Sequence, residues 1–220
     1  MEWPYRLGYL GGRFVFFCTM RLHLIRPEAA RRKGPYLIAC THLSHLEPFL
    51  LAVLVPRQID WITRIEFYRY HIMAWVLRGF SAIEVRRYGV PVSTIRTAIQ
   101  RLRQGRIVGI CPEGGVANGK NSCIRGGPIK KGVCLISYRT GIPVLPVVII
   151  GADKLNCVSP WLPPRRAKLW VAFADRPIEP RRNLDRRAAR QAMADELQQQ
   201  YVKLYEELKQ TFGVQEASVP

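Results

Sequence analysis

The sequence predicts a single α/β domain with a largely parallel central sheet that is covered by helices. Short apolar, β-branched runs of strand length alternate with helical patterns along the chain, which is the order that parallel sheets produce. Most of these runs lack a polar alternation, as is typical of strands buried on both faces. The 220 residues show no shift of composition, so the length suits one core and indicates no second domain.

Six runs are predicted to be strands: residues 36–41, 59–63, 82–85, 107–111, 144–150 and 168–173. Helices are predicted at residues 48–55, 66–78, 94–104 and 131–140, followed by a closing amphipathic helix within 183–212. Ser93 is predicted to be the N-cap of the third helix, and Gly105 and Gly141 are predicted to end the third and fourth helices.

The first 25 residues are rich in aromatic and basic side chains, and they are predicted to precede a domain of residues 26–220. Arg6, Arg13 and Arg21 interrupt the apolar residues well before the ~20 that a membrane-spanning helix needs. The segment also lacks the small-residue cleavage site of a signal peptide. Two interpretations stay open, namely a segment at the membrane interface and a first helix packed on the core.

The composition is strongly basic, with 34 Lys and Arg against 16 Asp and Glu and a net charge of +18. Such a surface attracts nucleic acid, an anionic membrane or an acidic carrier protein. The 6 cysteines include no C-x-x-C pair and lie mostly in apolar runs, which indicates reduced thiols in the cytosol or on a cytosolic membrane face. The nucleic-acid interpretation has no RNA-recognition-motif consensus, zinc-finger spacing or basic-leucine-zipper heptads to support it.

The stretch THLSHLEP, residues 41–48, follows the first predicted strand and holds the candidates for catalysis. Ser44 and Glu47 have the spacing of a capping box, which would make the stretch only a helix start. His42 and Glu47 could instead form a catalytic base, because a carboxylate on one imidazole nitrogen leaves the other free to accept a proton. His45 competes for that role. A zinc site at Cys40, His42 and His45 lacks a second ligand cluster, so no metal is expected.

Four blocks in this order resemble the glycerolipid acyltransferases, whose best known members are the lysophosphatidic acid (1-acylglycerol-3-phosphate) acyltransferases. The first is THLSHLEP, similar to the family's N-H-x-S-x-x-D-P, and the second is AIEVRR at 82–87. The third is CPEGG at 111–115, similar to F-P-E-G-T-R-S, followed by IKKG at 129–132; the fourth is PVLPV at 143–147. The resemblance covers residues 35–151. Glu47 replaces the family's aspartate, and Val116 replaces an arginine.

The resemblance implies a glycerolipid acyltransferase-like fold and the transfer of a fatty acyl group from a thioester, acyl-CoA or acyl carrier protein, to a lysophospholipid hydroxyl. It implies direct attack with no enzyme nucleophile and no bound cofactor. The basic surface, the aromatic N-terminus and the reduced cysteines predict a peripheral location on the cytoplasmic side of a membrane. The implied catalytic residues are His42 and Glu47. The implied substrate-binding residues are Arg87, Glu113, Gly114, Gly115 and Lys130.

Within that set, Arg87 and Lys130 are expected to contact phosphate. Glu113 is expected to orient a hydroxyl or an arginine such as Arg87, because a carboxylate repels phosphate. Backbone N–H groups near Gly114 and Gly115, or at the helix start, are the expected oxyanion donors. The alternatives are an acyltransferase acting on another lysolipid or hydroxyl acceptor, a catalytically lapsed homologue that only binds lipid, and a basic nucleic-acid-binding protein.

Overall fold

The computed structural model describes residues 3–44, 47–85, 92–116, 119–152 and 167–214. The strands within these ranges are β1 (Met20–Ile25), β2 (Leu37–Cys40), β3 (Ile59–Arg64), β4 (Ile83–Val85), β5 (Ile107–Ile110), β6 (Val144–Ile150) and β7 (Ala167–Phe173). The α-helices are α1 (Trp3–Thr19), α2 (Glu47–Leu54), α3 (His71–Gly79), α4 (Val92–Arg103), α5 (Gly132–Thr140) and α6 (Arg186–Phe212). Short 3-10 helices lie at Pro27–Arg31, Ile65–Arg69, Gly119–Asn121 and Cys123–Arg125.

Among the described residues, the 7 strands form one sheet in the order β1-β7-β6-β2-β5-β3-β4. Every neighbouring pair is parallel except β6 and β7, which are antiparallel. The prediction of a single α/β domain with a largely parallel sheet is therefore confirmed. All residues of the central strands β2 and β6 are buried, which explains why these runs show no polar alternation.

The strand that the sequence analysis missed is β1, which pairs in parallel with β7 along its whole length. Its residues were assigned above to the N-terminal segment, whereas they form an outer strand of the domain's sheet. Leu22 and Leu24 alternate with Arg21 and His23, and this period of two is the signal that could have identified the strand. The aromatic and basic composition of the residues before it obscured that signal.

Helix α1 packs one face on the domain and exposes the other. Tyr5 and Phe16 are buried, and a Cβ atom at Gly12 would overlap Val53 of α2, so the two helices lie in close contact. On the other side, large apolar side chains are exposed: Leu7, Leu10, Phe14 and Phe17. Within the described residues, no helix is long and apolar enough to span a membrane.

Two helix predictions differ from the structure. The pattern at 66–78 is divided between a 3-10 helix and α3, because Tyr70 between them has an extended backbone (φ −92°, ψ 116°). Ser93 lies inside α4 and is not its N-cap. Gly141 ends α5 in the left-handed region at φ 74°, as predicted, because glycine adopts that conformation without steric strain. Helix α6 begins after Asp185, whose carboxylate accepts hydrogen bonds from the N–H groups of Arg187 and Ala188.

Candidate active site

The predicted site residues that the structure describes lie at the carboxyl ends of β2 and β5. These strands are adjacent and parallel, so the residues that follow them meet at one edge of the sheet. His42 comes two residues after β2, and residues 111–115 follow β5 directly. Open parallel sheets bind their ligands at this edge.

His42 and Glu47 are in hydrogen-bonding contact, with 3.2 Å between Nδ1 of the imidazole and Oε2 of the carboxylate. Glu47 is fully buried, whereas the His42 side chain keeps 17% of its surface exposed. The other carboxylate oxygen accepts the N–H groups of Leu43 at 3.0 Å and Ser44 at 2.6 Å. The contacts of Glu47 agree with both interpretations of this stretch. Its Oε1 atom accepts the Ser44 N–H, as in a capping box, and its Oε2 atom contacts the His42 ring.

Glu113 fixes the backbone that carries His42. Its Oε2 atom accepts the His42 N–H at 2.5 Å, and its Oε1 atom accepts the Ser122 hydroxyl at 3.1 Å and the Cys123 N–H at 2.8 Å. Gln198 of α6 donates in turn to the Cys123 carbonyl. All three of these contacts are to the chain itself, so the expected role of Glu113 toward a substrate stays a prediction. The carboxylate also joins the strand ends to α6, which the sequence did not indicate.

Gly114 occupies a position that only glycine fits well. Its φ of +74° lies in the left-handed region, and a Cβ atom there would overlap the Lys130 side chain that crosses it. Its N–H donates to the Cys111 carbonyl at 3.0 Å. This hydrogen bond uses the N–H group that was a candidate oxyanion donor, so Gly114 does not supply that donor in this conformation.

Arg64 is a site residue that the sequence analysis missed. Its Nη2 atom donates to the Gly114 carbonyl at 2.8 Å, and it borders Gly115 so closely that a Cβ atom there would touch it. Val116, the position where the family has an arginine, is the next residue. The Arg64 side chain, at the end of β3, therefore lies near the position where Val116 replaces the family's arginine. The available signal was that Arg64 ends a strand at the same edge of the sheet.

Arg87 and His45 lie outside the described residues, so the phosphate contact expected of Arg87 stays a prediction. Lys130 is described and lies against Gly114, which places one expected phosphate contact beside the glycine segment. No group of three or more His, Cys, Asp or Glu among the described residues is arranged to hold a metal ion.

Two thiols complete the surroundings of the imidazole. Cys40 ends β2 and Cys111 follows β5, and their sulfur atoms are 3.4 Å apart. Burial lowers the pKa of His42, but hydrogen bonds with Cys111 and with Glu47 outweigh it and raise that pKa to about 10. The hydrogen bonds from Cys40 and His42 lower the pKa of Cys111. Both contacts favour the protonated form of the imidazole.

The parallel sheet, with the candidate site residues at the carboxyl ends of β2 and β5, is typical of α/β proteins that bind substrates at the carboxyl ends of parallel strands. The family model described as Acyltransferase matches residues 21–150, which is more than half of the chain. The chain therefore belongs to the acyltransferase family, as the four sequence blocks predicted.

Relatives with stated names support this assignment. The chain is 29% identical over 120 residues to a 1-acyl-sn-glycerol-3-phosphate acyltransferase of Bacillus subtilis, covering 54% of this chain and 57% of that protein. It is 24% identical over 123 residues to a chloroplastic 1-acyl-sn-glycerol-3-phosphate acyltransferase of Brassica napus, covering 55% and 34%. The chain thus spans about half or less of the length of these relatives.

The fold is similar to the crystal structure of the 1-acyl-sn-glycerophosphate acyltransferase PlsC from Thermotoga maritima. The TM-score is 0.69, and the match covers 91% of this chain and 79% of that one at 20% sequence identity. At this identity the likeness shows the fold, and it confirms the glycerolipid acyltransferase-like architecture.

Proposed function

We propose that the protein transfers a fatty acyl group from a thioester to the hydroxyl of a lysophospholipid such as lysophosphatidic acid, as a step of phospholipid biosynthesis. The observation that carries the proposal is the His42–Glu47 pair, held at 3.2 Å on a ring that stays partly exposed. Family membership and the names of the relatives in Bacillus subtilis and Brassica napus support the acyl chemistry.

In this proposal His42 handles the proton of the acceptor hydroxyl. Glu47 holds Nδ1, fixes the orientation of the ring and stabilises the imidazolium. The second ring nitrogen then exchanges protons with the reacting groups. Glu113 keeps the backbone of His42 in place through its bond to the His42 N–H, so the base stays at the carboxyl edge of β2.

Two cations favour an acceptor that carries a phosphate. Lys130 crosses Gly114, and Arg64 binds the Gly114 carbonyl and borders Gly115. Arginine and lysine are the side chains that bind phosphate most effectively. Because Arg64 approaches from a different strand than the family's arginine, a related lysolipid or another hydroxyl acceptor stays the alternative.

The thioester donor is expected to be acyl-CoA or acyl carrier protein, and both carriers are anionic. A cavity of about 280 Å³ is lined by four cations, Lys131, Arg186, Arg187 and Arg190. Among the described residues, none of the four is paired with a carboxylate. Arg186 and Arg187 lie in the first turn of α6, where a cation opposes the helix dipole, so an anion bound in this cavity is favourable. The positive charge of this cavity supports the proposal that the acyl donor has an anionic carrier.

A peripheral location on the cytoplasmic side of a membrane is part of the proposal. The exposed apolar side chains of α1 lie on one stripe, and Arg6 and Arg13 are exposed beside it. Such a helix buries its apolar face at the boundary of headgroups and acyl chains. Each arginine near an anionic surface adds about 1 kcal/mol of attraction. Tyr70 and Trp75 are also exposed, at 71% each.

Replacing Phe14 and Phe17 together with serine is expected to weaken sedimentation with anionic liposomes by at least ~10-fold. Both side chains are exposed, at 73% and 86%, so their loss leaves the fold intact while it removes apolar area worth about 1.5–3 kcal/mol per ring on full burial. Deleting residues 1–25 is a poor test, because it removes β1 from the sheet. The matched control is Val202→Ser, an exposed apolar position on α6. Equal sedimentation of both variants contradicts the membrane role of α1.

The proposed function is tested by incubating the purified protein with palmitoyl-CoA, or with palmitoyl acyl carrier protein, and a mixture of lysophospholipids. Mass spectrometry is expected to show a diacyl product from lysophosphatidic acid. A product from another lysolipid alone would reassign the acceptor. If the protein binds liposomes but gives no product with either donor, it is the catalytically lapsed homologue. If it binds nucleic acid in a filter-binding assay and does not bind liposomes, the nucleic-acid alternative holds.

A further inference from the structure

The N–H group of His42 has a hydrogen-bond partner that the strands do not supply. Thr41, one residue earlier, donates its N–H to a carbonyl of β6. The carbonyls of Cys111 and Pro112, which follow β5, accept N–H groups from farther along the chain. The acceptor for the His42 N–H is the Glu113 carboxylate, at 2.5 Å. A side chain therefore continues the hydrogen bonding between the ends of β2 and β5, at the residue that carries the imidazole.

A second set of contacts fixes the Glu113 carboxylate. Its Oε1 atom accepts the Ser122 hydroxyl at 3.1 Å and the Cys123 N–H at 2.8 Å. A glutamate side chain has three torsions, so a carboxylate that nothing holds visits several rotamers. Hydrogen bonds to a charged acceptor are stronger than those between neutral groups. The two bonds to Oε1 therefore favour the rotamer in which Oε2 reaches the His42 N–H.

Helix α6 holds the two residues that donate to Glu113. Ser122 and Cys123 are fully buried, and the Gln198 side chain of α6 donates its amide N–H to the Cys123 carbonyl. A continuous path of hydrogen bonds thus runs from α6 through Cys123 and Glu113 to the backbone of His42.

We propose that Ser122 and Gln198 are positioning residues for acyl transfer, which hold the Glu113 carboxylate in the rotamer that fixes the backbone of His42. The inference rests on the proposed function, because that function assigns the proton transfer to His42. Neither residue touches a substrate in this proposal. Ser122 lies between CPEGG and IKKG, and Gln198 lies beyond residue 151, so both are outside the blocks that resemble the family.

The expected effect is on the chemical step rather than on substrate binding. When the Glu113 carboxylate is released, the His42 backbone can move, and the imidazole moves with it relative to the acceptor hydroxyl. A misplacement of about 1 Å caused far from the reacting atoms can lower a rate by about 10²-fold. Lys130 and Arg64, which are proposed to bind phosphate, are not on this path. We therefore expect kcat to fall while KM stays within about threefold.

The first experiment removes the Ser122 hydroxyl. Ser122→Ala is expected to lower kcat roughly 10-fold. It is also expected to speed hydrogen exchange of the His42 amide by roughly 10-fold, measured by NMR on the full chain, because the amide loses a fixed acceptor.

The matched control is Ser137→Ala. Ser137 of α5 is also fully buried, and its hydroxyl donates to the Ile142 carbonyl at 2.6 Å, away from the path to His42. This variant is expected to lose comparable stability in urea unfolding while it keeps wild-type kcat and wild-type exchange at His42. Equal changes of kcat and exchange in the two serine variants mean that Ser122 only stabilises the fold, and they overturn the proposal.

The second experiment changes the donor on α6 and does not disturb a fully buried position, because Gln198 is half-buried. Glutamine, glutamate and lysine have similar helix propensities. Gln198→Glu replaces the amide donor by a carboxylate that repels the Cys123 carbonyl, whereas Gln198→Lys keeps a donor. The glutamate variant is expected to lower kcat by at least ~5-fold and to speed exchange at His42, and the lysine variant is expected to stay within about twofold of the wild type.

The control for the added negative charge is Gln199→Glu, at an exposed neighbouring position of α6. It is expected to keep wild-type kcat and exchange. If glutamate and lysine at residue 198 behave alike, the amide donor has no part in positioning His42 and the proposal is overturned.

Hydrogen exchange separates this inference from the proposed function, because it needs no turnover. If the wild type gives no product with either donor, the proposed function fails, and faster exchange at His42 in Ser122→Ala and Gln198→Glu still supports the positioning path. If transfer is observed and exchange at His42 is the same in every variant, the inference fails and the acyltransferase proposal stands. Faster exchange with an unchanged kcat also overturns the role of the two residues in acyl transfer.

Discussion

Replacing His42 with alanine is expected to lower acyl transfer by at least ~10³-fold while the protein stays folded. The imidazole is the group that exchanges the hydroxyl proton, and a positioned general base contributes about 10²–10⁴-fold. The fold is expected to survive because the buried Glu47 keeps the N–H groups of Leu43 and Ser44 as donors, and the lost hydrogen bond to a charged group costs about 1.5–3 kcal/mol.

The measurement is kcat/KM for the best donor and lysophospholipid, beside urea unfolding of the same preparation. His71→Ala is the matched control, because His71 is an exposed histidine at the start of α3 and has no part in the proposed reaction. It is expected to keep wild-type activity. A His42→Ala protein with wild-type turnover would remove the observation on which the proposed function rests.

The sheet could be predicted from the sequence because the burial of its central strands is visible in their amino-acid composition. β2 and β6 are buried along their whole length, and such strands read as continuous apolar runs. β1 could not be separated in the same way, because its residues are mostly half-buried and follow an aromatic helix without a turn signal. Strand order was also out of reach, since β7 returns antiparallel beside β6 and then takes β1 as its outer partner.

The candidate site could be predicted only where one short stretch holds both partners. His42 and Glu47 are five residues apart, so the contact follows from a local pattern at a helix start. Cys111 and Arg64 reach the site from other strands. Their approach depends on which strands are neighbours, in this case β2 with β5 and β5 with β3, and the strand order that decides this is a tertiary property.

Replacing Glu47 with glutamine is expected to lower acyl transfer by roughly 10²–10⁴-fold, because a carboxylate-to-amide change leaves the geometry in place and favours the wrong imidazole tautomer. The glutamine carbonyl can still accept the N–H groups of Leu43 and Ser44, which bind one Glu47 oxygen. The amide –NH₂ then meets Nδ1 of His42 and donates to it. The proton moves to the second ring nitrogen, which the reaction needs free.

The same change is expected to alter how stability depends on pH. In the folded wild type, the pKa of His42 is raised to about 10 from an ordinary value of 6.5. The protonated ring thus stabilises the fold fully below pH 6.5, and this contribution is lost as the pH rises through 10. Glu47→Gln removes one hydrogen bond and one negative charge that raise the pKa, so the variant should lose less stability between these pH values.

Urea unfolding at pH 6 and pH 10 measures this difference, and the titration of tyrosines and lysines cancels when the variant is compared with the wild type. Glu47→Asp is the conservative control. It keeps the negative charge and the type of residue found in the family's first block, so it is expected to retain most of the activity. If glutamine and aspartate behave alike in both rate and pH dependence, the role of Glu47 is confined to the helix start, and the carboxylate does not act on the imidazole.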